Sequence, residues 1–218
     1  MKEGYQPWTE YRPRKDPYIA ARALESLPYL TGQRGEFIIR LFSYFRWVDD
    51  RIDERDDLTK EQKLNFIKRQ MDLIQGDPPI NLLPMEKVFD QLSWNSVPAK
   101  EIRYNSQILL ASISQDAFYQ GFKSRTDKEI NEYNLQTAVP VINILFLALN
   151  GKLPGINHAL MQLLDAYITI GSLEGLGDDL SHGIVKLPIQ TKNHEETTIE
   201  EVMTEYGQKN LIKLSGDN

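Results

Sequence analysis

The stretch Gly35 to Glu54, GEFIIRLFSYFRWVDDRIDE, carries apolar side chains on nearly every face of a helix and then runs straight into carboxylates. A helix that is apolar all round cannot lie on a surface, because each exposed face forfeits roughly 25 cal/mol for every Å² left in water. It has to be wrapped by other elements, so the rest of the chain must supply a surrounding layer.

The flanking sequence supplies helices. Residues 1–17 hold three prolines, scattered charge and no periodicity, and read as an extended arm. From Tyr18 the pattern is helical, beginning with YIAARALESL. The segment DLTKEQKLNFIKRQMDLIQG pairs Thr59 with Gln62 as a capping box and sets Leu64, Ile67, Met71 and Ile74 at helical spacing before Gly76. DPPINLLP reads as a loop and MEKVFDQLSW as a short helix. The next long helix carries Ile102, Ile108, Leu109, Ile113 and Phe118; the one after it is capped by Thr126 with Glu129 and is expected to kink at Pro140. A last apolar helix, from Ile156, is weakened by Gly171, Gly175 and Gly177. No period-two alternation persists. The expectation is an all-α single domain over 18–218, a bundle of about seven or eight helices.

The net charge of −6 argues against nucleic acid as a partner, since phosphate binding needs a basic stripe and the basic residues here are interleaved with acids. There is no cysteine, hence neither a disulfide framework nor a thiolate metal site. No apolar run reaches the length of a membrane span and the first residues lack a signal-peptide core, so the reading is a soluble, cytoplasmic protein.

Asp49, Asp50 and Asp53 form a D-D-x-x-D arrangement. Positions four apart share a helix face, so Asp49 and Asp53 point together, with Asp50 about 100° round the axis from Asp49. Mg²⁺ takes oxygen ligands, keeps several waters and commonly bridges one or two carboxylates to a phosphate. The competing reading is a solvated helix end in which Arg46, Arg51 and Arg55 pair locally with the acids. A second acidic group, Glu174, Asp178 and Asp179, also comes after an apolar helix, and Glu174 and Asp178 are again four apart. Two such helices packed antiparallel bring opposing carboxylates around a cluster of ions, whereas Asp178 and Asp179 alone can equally cap the next segment of chain. A diphosphate clamped by Mg²⁺ becomes a good leaving group. If an allylic carbon bears it, the cation left behind needs a dry apolar cavity with aromatic faces. Phe37, Phe42, Tyr44, Phe45 and Trp47 are candidate walls, with ordinary core packing as the alternative for each.

FSYFRWVDDRIDE resembles the first aspartate motif of the squalene and phytoene synthases, in which an arginine at the position of Arg46 precedes the acids. GLGDDLSHGIVKLP resembles the second, with Gly177, Asp178, Asp179, Gly183 and Pro188 in register; between them, Asp116, Tyr133, Ala138 and Val139 match the central segment. The resemblance spans about residues 18–190 and implies the isoprenoid-synthase helical bundle around a central apolar cavity. It implies Mg²⁺ dependence, with Mn²⁺ as a substitute, and head-to-head condensation of two prenyl diphosphates such as farnesyl or geranylgeranyl diphosphate. Peripheral membrane association is implied by the lipophilic products. In that register Asp49, Asp50, Asp53, Asp178 and Asp179 are metal ligands and Arg46 positions the diphosphate or braces Asp50. Glu174 stands one position from an expected ligand. Ile168, Gly171, Gly175 and Ile184 depart from the family pattern, and the helices that usually come after the second motif are not in this sequence, so closure by a second subunit as a homodimer is one arrangement. Two further readings stay open: ionisation or hydrolysis of a single prenyl diphosphate, and a non-catalytic scaffold or assembly factor.

His158, His182 and His194 lack metal-ligand spacing with one another; His182 beside the second motif is a candidate diphosphate contact. Tyr44 and Tyr133 are candidates to hydrogen-bond a diphosphate oxygen, and Phe45 to line the substrate, with a core role as the alternative. No Ser/His/Asp order, glycine-rich phosphate loop or Walker lysine is present.

Overall fold

The computed structural model describes Tyr11 and residues 24–53, 58–119 and 127–155. These residues are helical, with no strand among them. After a 3₁₀ turn at Leu24–Ser26 come α1 (Leu27–Thr31), α2 (Gln33–Asp53), α3 (Lys60–Gln75), α4 (Pro84–Asp90), α5 (Ala99–Tyr119) and α6 (Asp127–Asn150), with a second 3₁₀ turn at Trp94–Ser96. The all-α expectation therefore holds for the described residues.

Helix α2 is the axis of the packing, touching α1, α4, α5 and α6. Phe37, Ile38, Ile39, Leu41, Tyr44, Val48 and Ile52 are buried along it, as an all-round apolar helix requires. Its entry is set by glycine twice. Gly32 ends α1 at φ 58°, a left-handed conformation that other residues adopt at a cost. At Gly35 a Cβ would stand 2.4 Å from the Leu27 carbonyl carbon, so only a hydrogen lets α1 fold back onto α2.

Side-chain pairs fix the directions of the long helices. Lys63 meets Ile52, Phe66 meets Trp47 and Gln70 meets Tyr44, so α3 runs antiparallel to α2. Arg103, near the start of α5, donates to the Ile74 carbonyl at 2.6 Å and the Leu73 carbonyl at 3.3 Å at the end of α3, reversing direction again. Asn105 with Asn143, Ser112 with Thr137, and Gln115 with Gln136 make α6 antiparallel to α5. Arg34 at the start of α2 donates to the Leu149 carbonyl at 2.6 Å, at the far end of α6. The four long helices thus alternate up, down, up, down. One end of the bundle gathers the C-terminus of α2, the N-terminus of α3, the C-terminus of α5 and the N-terminus of α6.

The start of α3 is held by the expected capping box: the Thr59 hydroxyl accepts from the Gln62 N–H at 3.2 Å and the Gln62 side chain accepts from the Thr59 N–H at 2.8 Å. Gly76 at φ 103° closes its other end. Its inward face differs from the apolar stripe expected, since the buried residues are Lys63, Phe66, Ile67, Gln70, Leu73 and Ile74, while Leu64 and Met71 are half-buried. Helix α6 continues through Pro140, whose ring withholds the N–H that would bond the Gln136 carbonyl. Tyr11, within the stretch expected to be an extended arm, packs partly buried against the core. The Thr126 cap and the helix expected from Ile156 lie outside the described residues.

Candidate functional site

Two residues along a helix turn the side chain by about 200°, so Tyr44 and Arg46 stand on nearly opposite faces of α2. The structure uses the two faces differently. The Tyr44 face carries a connected set of rings: Tyr44 lies 4.6 Å from Phe89, Phe89 lies 5.2 Å from Trp94, and Trp94 lies 5.2 Å from Phe37. Trp47 meets Phe66 edge-on at 5.3 Å, and Phe45 meets Tyr44 at 5.3 Å. Phe37, Tyr44, Phe45 and Trp47, candidates for the walls of a cavity, are therefore packed against other rings in the core, and Phe42 is half-buried.

Tyr44 is drawn further into the interior by its hydroxyl, which donates to Gln70 Oε1 at 2.9 Å. Gln70 Nε2 in turn donates to Glu86 Oε1 at 2.7 Å. Glu86, its side chain fully buried, also accepts from Arg69 Nε at 2.7 Å, from Arg69 Nη2 at 2.6 Å and from the Leu83 N–H at 2.7 Å. Burial pushes the Glu86 carboxyl up, but the bonds from Arg69, Gln70 and Leu83 outweigh it and hold the carboxyl below its ordinary value. Burial first, and the Glu86 charge second, push the Tyr44 hydroxyl well above its ordinary value, so it remains a neutral donor. Tyr44, a candidate to hydrogen-bond a diphosphate oxygen, has its hydroxyl engaged with Gln70 and its ring buried in the core.

The opposite face of α2 carries Arg46, Asp49 and Asp50 at positions i, i+3 and i+4. Arg46 Nη1 lies 3.3 Å from Asp49 Oδ2, and Arg46 Nε lies 2.9 Å from Asp50 Oδ1. The three side chains are 27%, 31% and 23% exposed, so they stand at a half-open rim instead of a free helix end. Pairs this wet contribute no more than about 1 kcal/mol each, and their value here is geometric, since one guanidinium holds two carboxylates on one side of the helix. Asp53 is the last residue of α2 and, by the helical period, falls in the same arc; its side chain lies outside those described. Among the described residues, Asp49 and Asp50 pair with Arg46, and Arg51 turns to an aromatic ring. Its guanidinium lies 4.9 Å from the centre of the Phe66 ring on α3.

Tyr133 is buried near the N-terminus of α6, which the antiparallel packing brings to the same end of the bundle as Asp49 and Asp50. Its backbone carbonyl accepts from the Thr137 hydroxyl at 3.0 Å, and that hydroxyl also meets Ser112 at 2.6 Å. The same end holds Lys63, which a stripe of apolar residues gives no reason to notice: it is 1% exposed, and its Nζ donates to the Ile52 carbonyl at 2.5 Å. Glu174, Asp178, Asp179 and His182 lie outside the described residues, so the pairing of the two acidic groups does too. Among the described residues no three acidic or histidine side chains converge as a metal-binding group.

Among the described residues the donors on α2 are carboxylate oxygens, with no nitrogen or sulfur ligand beside them, and that chemistry fits a hard cation such as Mg²⁺ more readily than zinc or copper. Among the described residues no helix is long and apolar enough to cross a membrane. No protein-family model, no curated protein and no solved structure matches this chain.

Proposed function

We propose that the protein is a Mg²⁺-dependent enzyme acting on prenyl diphosphates, of the squalene and phytoene synthase type, that condenses two such substrates with loss of diphosphate. The observation that carries the reading is the half-open Arg46, Asp49 and Asp50 cluster at the end of a helix whose other face is apolar core. A substrate with a diphosphate head and a hydrocarbon tail needs that juxtaposition of hard oxygen ligands and apolar body.

Asp49, Asp50 and Asp53 would hold Mg²⁺, with Asp178, Asp179 and Glu174 as the second set. Mg²⁺ supplies neutralisation of the negative charge that develops on the departing diphosphate. Arg46 has a planar fork of donors that suits phosphate oxygens as well as carboxylates, so it can exchange one for the other as substrate binds. Tyr133, near the start of α6, would donate to a diphosphate oxygen when substrate binds, and His182 would be a second contact. Phe45 and its neighbours shape the site through the core. Farnesyl and geranylgeranyl diphosphate are the substrates to offer, with a peripheral membrane or a second subunit as the remaining partners.

The non-catalytic scaffold reading draws on one observation, that Arg46 already balances two carboxylates within a single helix. Incubation with either diphosphate and Mg²⁺ separates the readings. A squalene- or phytoene-type hydrocarbon supports condensation and a prenyl alcohol supports action on one substrate; no turnover with no Mg²⁺-dependent binding supports the scaffold. Asp49→Ala and Asp53→Ala are each expected to lower Mg²⁺-dependent diphosphate release about a hundredfold or more. Parental activity in both variants sinks the proposal.

A further inference from the structure

Lys63 is out of keeping with the other described lysines. Lys60, Lys68, Lys87, Lys100 and Lys152 are exposed, whereas Lys63 is 1% exposed. An ammonium is costly to bury unless something nearby needs its charge, and a methionine of similar length would fill the same space. Among the groups it meets is the Ile52 carbonyl, at 2.5 Å. That carbonyl belongs to the last turn of α2, at the negative end of its dipole. Helix ends are the first turns to open, and the turn concerned is the one that carries Asp49, Asp50 and Asp53.

The other end of the contact is equally fixed. Lys63 stands one turn into α3, its N–H donating to the Thr59 carbonyl at 3.0 Å, directly behind the Thr59 and Gln62 capping box. The box sets where α3 starts, and the buried stem sets where the ammonium points.

We propose that Lys63 is a positioning residue: its buried ammonium, bound to the Ile52 carbonyl, clamps the last turn of α2 to the first turns of α3 and so fixes the carboxylates that turn presents to a metal. The metal-facing half of this rests on the proposed Mg²⁺ site; the clamp itself does not.

The test is Lys63→Met in the full chain, read by amide hydrogen exchange and by Mn²⁺ binding in electron paramagnetic resonance. Exchange at residues 49–53 is expected to rise about tenfold while Ile102 to Ile113 in α5 stays at the parental rate, and Mn²⁺ affinity is expected to fall about tenfold. Lys63→Arg is expected to recover much of both. Unchanged exchange at 49–53, or an equal rise throughout α5, overturns the clamp. If Lys63→Met does not fold, nitrogen-15 lysine spectra of the parent decide: a slowly exchanging ammonium for Lys63, distinct from the exposed lysines, supports the clamp, and its absence overturns it. A parent that binds no Mn²⁺ removes the metal reading, and the exchange data then judge the clamp alone.

Discussion

Glu86→Gln tests whether the charge under Tyr44 is needed or merely accommodated. The carboxylate has no access to water and takes four donors, two on each oxygen: Arg69 Nε and Gln70 Nε2 on Oε1, Arg69 Nη2 and the Leu83 N–H on Oε2. Glutamine keeps the shape but has one oxygen, so in either orientation its amide NH₂ faces two of those donors. Bonds to a charged group contribute about 1.5–3 kcal/mol each, and Arg69, 32% exposed, regains part of its loss from water. The net loss is about 3 kcal/mol. At about 2–4 °C per kcal/mol for a chain of this size, the melting temperature should drop about 6–12 °C by calorimetry at neutral pH. The pH dependence has a definite sign. Because the folded carboxyl sits below its ordinary value, its contribution is complete above the ordinary carboxylate range and disappears as pH falls through the folded value. The gap between parent and variant must therefore narrow in acid. A variant melting within about 2 °C of the parent at neutral pH, or a gap that widens in acid, refutes the account.

Gly35→Ala places a methyl 2.4 Å from the Leu27 backbone and should force α1 off α2, at about 1–3 kcal/mol and a melting temperature lower by several degrees. The two tyrosines should separate: Tyr44→Phe costs about 1 kcal/mol of stability and leaves turnover per folded molecule unchanged, whereas Tyr133→Phe lowers turnover with prenyl diphosphate and Mg²⁺. Equal effects of the two on turnover count against a core role for Tyr44 and a substrate contact for Tyr133.

The central helix was legible because its message is crude: apolar residues on every side leave one solution, burial, and Phe37, Ile39, Tyr44 and Ile52 are buried accordingly. The α3 capping box was legible because the motif is short and local. The face of α3 was not. Counting apolar side chains selects Leu64 and Met71, while the helix turns Lys63 and Gln70 inward, because Ile52 and the Tyr44 and Glu86 pair supply them with partners from elsewhere in the chain. Polar residues with distant partners are invisible to periodicity. The placement of Tyr44 was open to arithmetic alone, since a residue two positions before Arg46 cannot share its face. The D-D-x-x-D spacing pairs Asp49 with Asp53 and sets Asp50 about 100° round the axis, but spacing does not reveal that Arg46 bridges Asp49 and Asp50.

The antiparallel pairing of α2 and α3 also bears on how the chain finds this arrangement. Lys63 reaches Ile52 across 11 residues and Gln70 reaches Tyr44 across 26, whereas Asn143 reaches Asn105 across 38 and Arg34 reaches Leu149 across 115. Closing a longer loop costs more chain entropy, so contacts near in sequence come at the lower entropic cost and distant ones are favoured once others have drawn their ends together. The aspartate turn of α2 is thus tethered by the shortest of these loops, and α6, which brings Tyr133 to the same end, is paired with α5 across 21 to 38 residues. A search that begins with the α2 and α3 hairpin meets the rest of the bundle with one side of the site already in register.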